Sequence, residues 1–193
     1  MQTGILLVED ETIIRLDVKQ MLESAGYKVY ATGDGESAIE MAYEINPDLI
    51  VMDIMMPKLN GLKASRIIGK ATGTPIIFLT AYSQPDFIED AKQPHVLGYL
   101  VKPVMEASLI PAVEIALSQV NIKKQITNEI KNLQEKLETR KLIERAKGYL
   151  MKVKNLSEDE AYVLLRKISM NHQKPMEVVA SAILKKYQLK TSE

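Results

Sequence analysis

The chain has 193 residues, a formal net charge of zero and no cysteine. This length suits one large domain, or an ordinary domain with a small second one. Disulfides and thiolate metal sites are excluded, and a zinc centre is disfavoured because His95 and His172 are the only histidines. No apolar run is long enough to span a membrane, and no secretory signal opens the chain. We therefore expect a cytoplasmic protein without a membrane partner.

The net charge of zero conceals two parts of opposite sign. Residues 1 to 118 hold 9 Lys and Arg against 16 Asp and Glu, a net charge of −7, whereas residues 119 to 193 hold 16 against 9, a net charge of +7. This asymmetry favours an acidic regulatory part joined to a basic part that meets a polyanion. Charged residues on solvated helices would produce the same counts.

Five apolar runs, each followed by a stretch of helical periodicity, mark the first 118 residues. The runs occupy positions 5 to 8, 28 to 31, 49 to 52, 76 to 79 and 99 to 101. Strands that alternate with helices form parallel sheets through right-handed crossovers. The pattern predicts an α/β domain over residues 1 to 118, with a five-stranded, doubly wound parallel sheet.

Polar residues follow four of these runs, namely Glu9-Asp10, Asp53, Thr80 and Lys102. The carboxyl ends of parallel strands share one crevice, so we expect these side chains to converge. Neighbouring carboxylates attract a hard dication, for which Mg²⁺ is the natural choice. Asp53 would then attack a phosphoryl group, while Lys102 and Thr80 would contact its oxygens. Taken singly, each residue also has an ordinary structural explanation, as a turn residue or a helix cap.

The same residues resemble the receiver domain of two-component response regulators. The matching motifs are Val8-Glu9-Asp10, Asp53 with Met56-Pro57 and Gly61, Thr80-Ala81, and Tyr99 through Lys102-Pro103. The resemblance implies a flavodoxin-like fold, a sensor histidine kinase as phosphodonor and Asp53 as phosphoacceptor. It also implies that Glu9, Asp10, Asp53 and the backbone carbonyl of Met55 hold Mg²⁺. Thr80 and Tyr99 would form the switch pair.

Phosphatases of the haloacid-dehalogenase type also use an aspartyl phosphate, but they need a second Asp two positions after the nucleophile. That position is Met55 here. Without this proton donor we expect no efficient turnover of phosphate esters. The domain is therefore interpreted as a switch with at most slow self-dephosphorylation, and not as an enzyme.

From about Val104 to Lys154 the chain reads as continuous helix. A heptad-like apolar seam lies within it, formed by Ile126, Ile130, Leu133 and Leu137. This spacing favours a short coiled coil over residues 119 to 138 and a homodimer on activation, although a helix packed within the chain would show the same spacing. The peptide bond between Lys102 and Pro103 is a candidate for the cis form.

Two further helices follow Asn155. Ser157-Glu158-Asp159-Glu160 has the form of a capping box, and Pro175 suits the first position of a last helix. The expected apolar faces are Ala161, Leu164, Leu165 and Ile168 on one helix, and Val178, Val179, Ala182 and Ile183 on the other. With the end of the long helix they form a small three-helix, all-α domain over residues 133 to 190.

The basic C-terminal part allows three kinds of output: DNA binding, RNA binding or protein contact alone. The last helix offers no base-reading side chain before Lys185, which disfavours a DNA reader. Basic residues cluster elsewhere, and we take as candidate RNA contacts Arg140, Arg145, Lys147, Arg166 and Lys174. Tyr149 and Tyr162 are candidates for stacking on unpaired bases, with core packing as the alternative for Tyr162.

A second resemblance is to the ANTAR output domain. It rests on Arg145-Ala146-Lys147-Gly148-Tyr149-Leu150-Met151, on Leu156-Ser157, Glu160-Ala161-Tyr162 and Leu165-Arg166, and on Met170 and Lys174-Pro175. The family resemblance implies a dimer that binds paired stem-loops in leader RNA and prevents transcription termination. Gly148 is either a tolerated defect in its helix or a point of close approach by a neighbouring helix or by RNA.

Overall fold

The computed structural model describes residues 2 to 81 and 93 to 190, apart from the side chains of residues 187 to 190. Its contacts divide the chain into two compact units, Met1–Lys123 and Lys124–Glu193. The division falls within a long helix. None of the helices in the described ranges is long and apolar enough to cross a membrane.

The first unit contains a five-stranded parallel sheet. Its strands are β1 (Gly4–Val8), β2 (Lys28–Thr32), β3 (Leu49–Asp53), β4 (Ile76–Thr80) and β5 (Val96–Val101). They lie in the order β2-β1-β3-β4-β5, which confirms the predicted fold class. The last strand begins at Val96, before the predicted run at 99 to 101, because Val96 already pairs with Ile76. A register irregularity follows, so that Ile77 pairs with Gly98.

Six helices accompany the strands within the described residues. They are α1 (Thr12–Ser24), α2 (Gly35–Ile45), α3 (Gly61–Ala71), α4 (Glu106–Lys154), α5 (Glu158–His172) and α6 (Met176–Lys190). Helix α4 has 49 residues, as the uninterrupted helical pattern predicts.

Each face of the sheet carries its own apolar core, because successive side chains of a strand point to opposite faces. Ile5 and Leu7 pack on one face with residues of α1 and the first turns of α4. Leu6 and Val8 pack on the other face with residues of α2 and α3. The three central strands, β1, β3 and β4, are thus buried on both faces.

The second unit is built on a three-helix core. Its buried residues come from the end of α4, from α5 and from α6, namely Ala146, Leu150, Ala161, Leu165, Val179 and Ala180. The predicted capping box is present, since the Ser157 Oγ accepts from the Glu160 N–H and a Glu160 carboxylate oxygen accepts from the Ser157 N–H. The predicted face of α6 is half wrong: Val178 and Ala182 are exposed, and Ala180 is buried instead.

Candidate functional site

Three carboxylates meet at the carboxyl ends of β1 and β3. Glu9 and Asp10 follow β1 directly, and Asp53 is the last residue of β3. One ligand oxygen from each lies within 4.8 Å of the others. Glu9 and Asp53 are buried. The structure therefore brings together the three side chains that the strand-end pattern placed at one edge.

Lys102 lies between two of these carboxylates. Its Nζ is 2.8 Å from Asp53 Oδ2 and 2.9 Å from Glu9 Oε1. Burial acts to lower the pKa of Lys102, but its hydrogen bonds to Asp53 and Glu9 outweigh burial and raise the pKa above its usual value. The ammonium is therefore charged at neutral pH. The peptide bond from Lys102 to Pro103 is cis, as the sequence suggested.

The backbone around Asp53 fixes the direction of its carboxylate. Asp53 Oδ1 accepts a hydrogen bond of 3.1 Å from the Met55 N–H. The N–H of Gly61, the first residue of α3, donates to the Ile54 carbonyl at 2.9 Å. A Cβ at Gly61 would collide with the Asp53 carbonyl oxygen, so only glycine lets α3 begin this close to the strand.

Glu9 is a fully buried carboxylate of the site. Burial raises the pKa of its carboxyl, with Asp53 adding to this effect and Lys102 opposing it. Glu9 Oε2 is buried and has no hydrogen-bond partner in the described chain, although the Lys102 Nζ is 2.8 Å away as an ion pair. Three carboxylates this close together, two of them buried, suit a hard dication with oxygen ligands. The residues present therefore fit Mg²⁺.

Thr80 and Tyr99 stand on the neighbouring strands. Thr80 is the last residue of β4 and is buried, and its carbonyl accepts a 2.8 Å hydrogen bond from the Lys102 N–H. Tyr99 on β5 is 50% exposed. One residue of the predicted switch pair is thus inside the crevice, and the other points out of it.

Most of the candidate RNA contacts lie on the surface of the second unit. Arg140 and Arg145 are exposed on α4, Arg166 is exposed on α5, and Lys174 is exposed in the turn before α6. Tyr162 is 43% exposed and stands one helical turn before Arg166. The core-packing alternative for Tyr162 is therefore wrong.

Lys147 differs from the other basic residues because it is only 7% exposed. Its Nζ is 3.0 Å from Glu144 Oε1 on the same helix and 2.7 Å from Glu158 Oε1 at the start of α5. Hydrogen bonds to Glu158 and Glu144 raise the pKa of Lys147, and the hydrogen bond to Lys147 lowers the pKa of Glu158. This side chain joins two helices of the bundle, and RNA contact by Lys147 stays a prediction.

Family models match both units of the chain. The response regulator receiver domain matches residues 5 to 114, and the ANTAR domain matches residues 131 to 184. The chain is a response regulator. Its receiver and its ANTAR domain confirm the two resemblances drawn from the sequence.

Relatives agree with this assignment. The chain is 39% identical to the transcriptional regulatory protein PdtaR of Mycobacterium tuberculosis, over 93% of this chain and 88% of PdtaR. Among solved structures, the chemotaxis response regulator CheY4 of Vibrio cholerae is 29% identical with a TM-score of 0.55, over 60% of this chain and 99% of CheY4. The signal receiver domain of a diguanylate cyclase from Desulfovibrio desulfuricans G20 is 30% identical with a TM-score of 0.59, over 64% of this chain and 99% of that domain.

The apolar seam of α4 is exposed in this response regulator. Ile126, Ile130, Leu133 and Leu137 are each about half exposed, at 52%, 51%, 57% and 55%. Within the described residues the seam is not part of either unit's core. Packing among the described residues therefore does not explain the heptad spacing.

The receiver also uses a residue that the sequence interpretation missed. Arg15 on α1 donates to the backbone carbonyls of Glu9 and Asp10. A basic residue on an amphipathic helix is normally taken as solvated, so the pattern gave no reason to single it out. One signal was available in the sequence. Arg15 lies in the first turn of α1, close to the backbone carbonyls of Glu9 and Asp10, which lie beyond the end of β1 and need hydrogen-bond donors.

Proposed function

We propose that this response regulator is phosphorylated on Asp53 by a sensor histidine kinase, and that it then binds paired stem-loops in leader RNA as a dimer and prevents transcription termination. The observation that carries the proposal is the buried Asp53 carboxylate, held 2.8 Å from the Lys102 ammonium, on a chain whose second unit matches the ANTAR domain. The first unit would receive the signal, and the second would deliver it to RNA.

In the proposed phosphoryl transfer, a carboxylate oxygen of Asp53 forms a bond to phosphorus as the bond from phosphorus to the kinase imidazole breaks. Such transfers depend on positioning and charge neutralisation more than on covalent chemistry by the protein. Lys102 supplies a positive charge at the position where the phosphoryl oxygens would arrive. The Met55 N–H holds the other Asp53 oxygen in place.

The proposed cofactor is Mg²⁺, held by Glu9, Asp10, Asp53 and the backbone carbonyl of Met55. The bound ion would neutralise charge on the phosphoryl group. The three convergent carboxylates, two of them buried, support this assignment. Removal of Mg²⁺ with a chelator is expected to stop phosphorylation and leave the fold intact, because the two apolar cores do not depend on the site.

The proposed switch couples Thr80 to Tyr99. Phosphorylation adds about −1.5 to −2 charge at the strand ends. The Thr80 hydroxyl would hydrogen-bond one of the new oxygens, and the exposed Tyr99 ring would turn towards the space that Thr80 leaves. The outer face of β5 would change as a result, and this change would favour self-association.

The proposed dimer pairs the exposed seams of two α4 helices. A spacing of 4, 3 and 4 between Ile126, Ile130, Leu133 and Leu137 places them on one stripe, which another copy of the same stripe can bury. Pairing would also bring two ANTAR domains to one transcript, where tethering raises the effective concentration of the second domain. In light scattering, Ile130→Lys is expected to abolish the dimer of the phosphorylated protein. A dimer that survives this change would contradict pairing through the seam.

The proposed RNA surface combines guanidinium groups with an exposed aromatic ring. Arg166 and Tyr162 form a charged and stacking pair on α5, and Arg140, Arg145 and Lys174 add phosphate contacts. Gly148 would admit the RNA backbone close to α4. Lys147 would have to leave two ion pairs to contact RNA, so its contribution is expected to be the smallest.

Crosslinking to transcripts tests the output. The phosphorylated protein would be crosslinked to cellular RNA, and the enriched leader RNAs would be tested for termination in transcription reactions. We expect more readthrough with the phosphorylated protein than with Asp53→Asn. Equal binding of a DNA hairpin of matched sequence would contradict RNA recognition and favour a DNA-binding output.

Arg166→Ala tests a single phosphate contact. The slope of log affinity for hairpin RNA against log salt concentration is expected to shrink by about one phosphate contact.

A further inference from the structure

The loop between β1 and α1, residues 9 to 11, carries two of the three site carboxylates and is held from outside by one guanidinium. Arg15 Nη1 donates to the Glu9 carbonyl at 2.6 Å and to the Asp10 carbonyl at 3.1 Å. Arg15 Nη2 donates to Thr12 Oγ1 at 3.3 Å. The side chain therefore ties both carbonyls of the loop to the first turn of α1.

The loop needs this restraint because regular structure holds it weakly. Glu9 and Asp10 lie beyond the last residue of β1, and Glu11, the N-cap of α1, makes no side-chain capping hydrogen bond. Their carboxylates also repel each other and Asp53 across the site. Lys102 and the Glu11 N–H hold the Glu9 carboxylate itself, and Arg15 adds hydrogen bonds to the backbone carbonyls of Glu9 and Asp10.

A neighbouring glycine keeps the space for the guanidinium. A Cβ at Gly33, in the loop after β2, would stand 3.1 Å from Arg15 Nη1 and 3.8 Å from the Glu9 carbonyl oxygen. A contact of 3.1 Å is tight for a methyl group, so the guanidinium would have to move slightly to admit it. Two loops of the receiver thus accommodate this one side chain.

We infer that Arg15 is a positioning residue of the Mg²⁺ and phosphoryl site, which holds the backbone of Glu9 and Asp10 so that their carboxylates converge with Asp53. The inference rests on the proposed function, because it assumes that this crevice binds Mg²⁺. Arg15 touches neither metal nor phosphoryl group in this role. It acts through the two carbonyls.

Charge and positioning make opposite predictions for Arg15. A positive charge beside a cation site weakens cation binding, so its removal alone would tighten the binding of Mg²⁺. Loss of a group that orients metal ligands weakens metal binding, typically by about 10- to 100-fold. The sign of the change therefore separates the positioning role from an electrostatic one.

The test is a titration of the ¹⁵N-labelled full chain with MgCl₂, followed by NMR chemical shifts. Arg15→Ala is expected to weaken Mg²⁺ binding by about 10-fold or more. Arg15→Lys keeps the charge but loses the planar fork, so an intermediate loss is expected. The matched control is Lys19→Ala, which removes a positive charge one turn later on the same helix, where Lys19 pairs with Glu23 at the surface. Its Mg²⁺ affinity is expected to match that of the parent.

A second readout is the rate of phosphorylation by acetyl phosphate at low and at saturating Mg²⁺. At low Mg²⁺, Arg15→Ala is expected to be phosphorylated more slowly than the parent, and this difference in rate is expected to shrink as Mg²⁺ approaches saturation. Asp53→Asn is expected to stay unphosphorylated at every Mg²⁺ concentration. Unchanged or tighter Mg²⁺ binding by Arg15→Ala would overturn the inference. If that variant does not fold, parent-like Mg²⁺ affinity in Arg15→Lys would overturn it. A parent protein that binds no Mg²⁺ would instead refute the proposed site itself.

Discussion

The two units of this response regulator place their charges in opposite ways. In the receiver, Glu9 and Asp53 are buried at the strand ends, Lys102 is partly buried between them, and contacts between residues far apart in sequence fix all three. In the ANTAR domain the core is apolar and rich in alanine, and Arg140, Arg145 and Arg166 stand exposed outside it. Charges that are buried and hydrogen-bonded form a site with fixed geometry. Exposed charges form a binding surface, to which each adds a small part of the binding free energy.

This contrast predicts effects of different size. A substitution in the receiver crevice removes an atom that no other residue can supply, or displaces a closely packed neighbour. A substitution on the ANTAR surface removes one of several similar contacts. Lys147 is the informative exception, because it is a buried charge in the unit where the other candidate cations are exposed.

The largest effect is expected for Asp53→Asn. The amide lacks the nucleophilic oxygen, so phosphorylation by acetyl phosphate or by a kinase should be abolished, as measured by the intact mass of the protein. The control is Asp48→Asn, at the opposite end of the same strand, where an amide oxygen can still accept the hydrogen bond from the Gly4 N–H. A phosphorylated Asp53→Asn protein would show that another residue accepts the group.

The next effect is expected for Gly61→Ala. The added Cβ meets the carbonyl oxygen of Asp53, so α3 or the strand end must shift, and overpacking of this kind costs about 1–3 kcal/mol. Urea unfolding measures this loss in the free energy of unfolding. Gly98→Ala is the matched control, since a Cβ there meets no described atom within 4 Å. Equal stability of the two variants would mean that the close approach at Gly61 has no energetic weight.

The same contrast explains what could be predicted from sequence. The strand ends were predictable because the apolar runs fix the strands, and parallel strands bring their carboxyl ends together whatever the loop lengths. The ion pairs of Lys147 were only half predictable. Glu144 lies three residues earlier on the same helix and is a visible partner, but Glu158 reaches Lys147 only through the crossing of α4 and α5. The exposed Val178 on α6 was missed for the same reason, since helix packing selects which apolar side of a helix is buried.

A smaller effect is expected for Lys147→Met, which removes the ion pairs and keeps most of the side-chain volume. The pKa of Glu158 is lowered by Lys147, so the pair stabilises the fold above pH 4.5 and this stabilisation is lost as the pH falls through the lowered pKa. The pKa of Lys147 is raised, so the stabilisation is also lost as the pH rises through a value above 10.5. Urea midpoints should therefore separate the variant from the parent between pH 4.5 and 10.5 and converge in more acidic solution.

The control for this prediction is Lys152→Met, an exposed lysine near the end of the same helix. It removes the same charge, and its midpoint should follow that of the parent at every pH. A constant difference between Lys147→Met and the parent across the acidic range would mean that packing, and not the ion pair, accounts for the loss.

The smallest effect is expected for Gly148→Ala, and its sign is the reverse of that for Gly61. A Cβ at Gly148 meets no atom of the described chain within 4 Å, so no neighbouring helix in these ranges requires the glycine. Alanine within a helix is favoured over glycine by up to about 1 kcal/mol, so urea unfolding should show a more stable ANTAR domain. RNA binding then separates the two explanations for Gly148, a point of close approach by RNA and a tolerated defect. If the RNA backbone approaches α4 at this point, the more stable variant should bind hairpin RNA more weakly than the parent, whereas unchanged RNA binding would leave Gly148 as a tolerated defect in its helix.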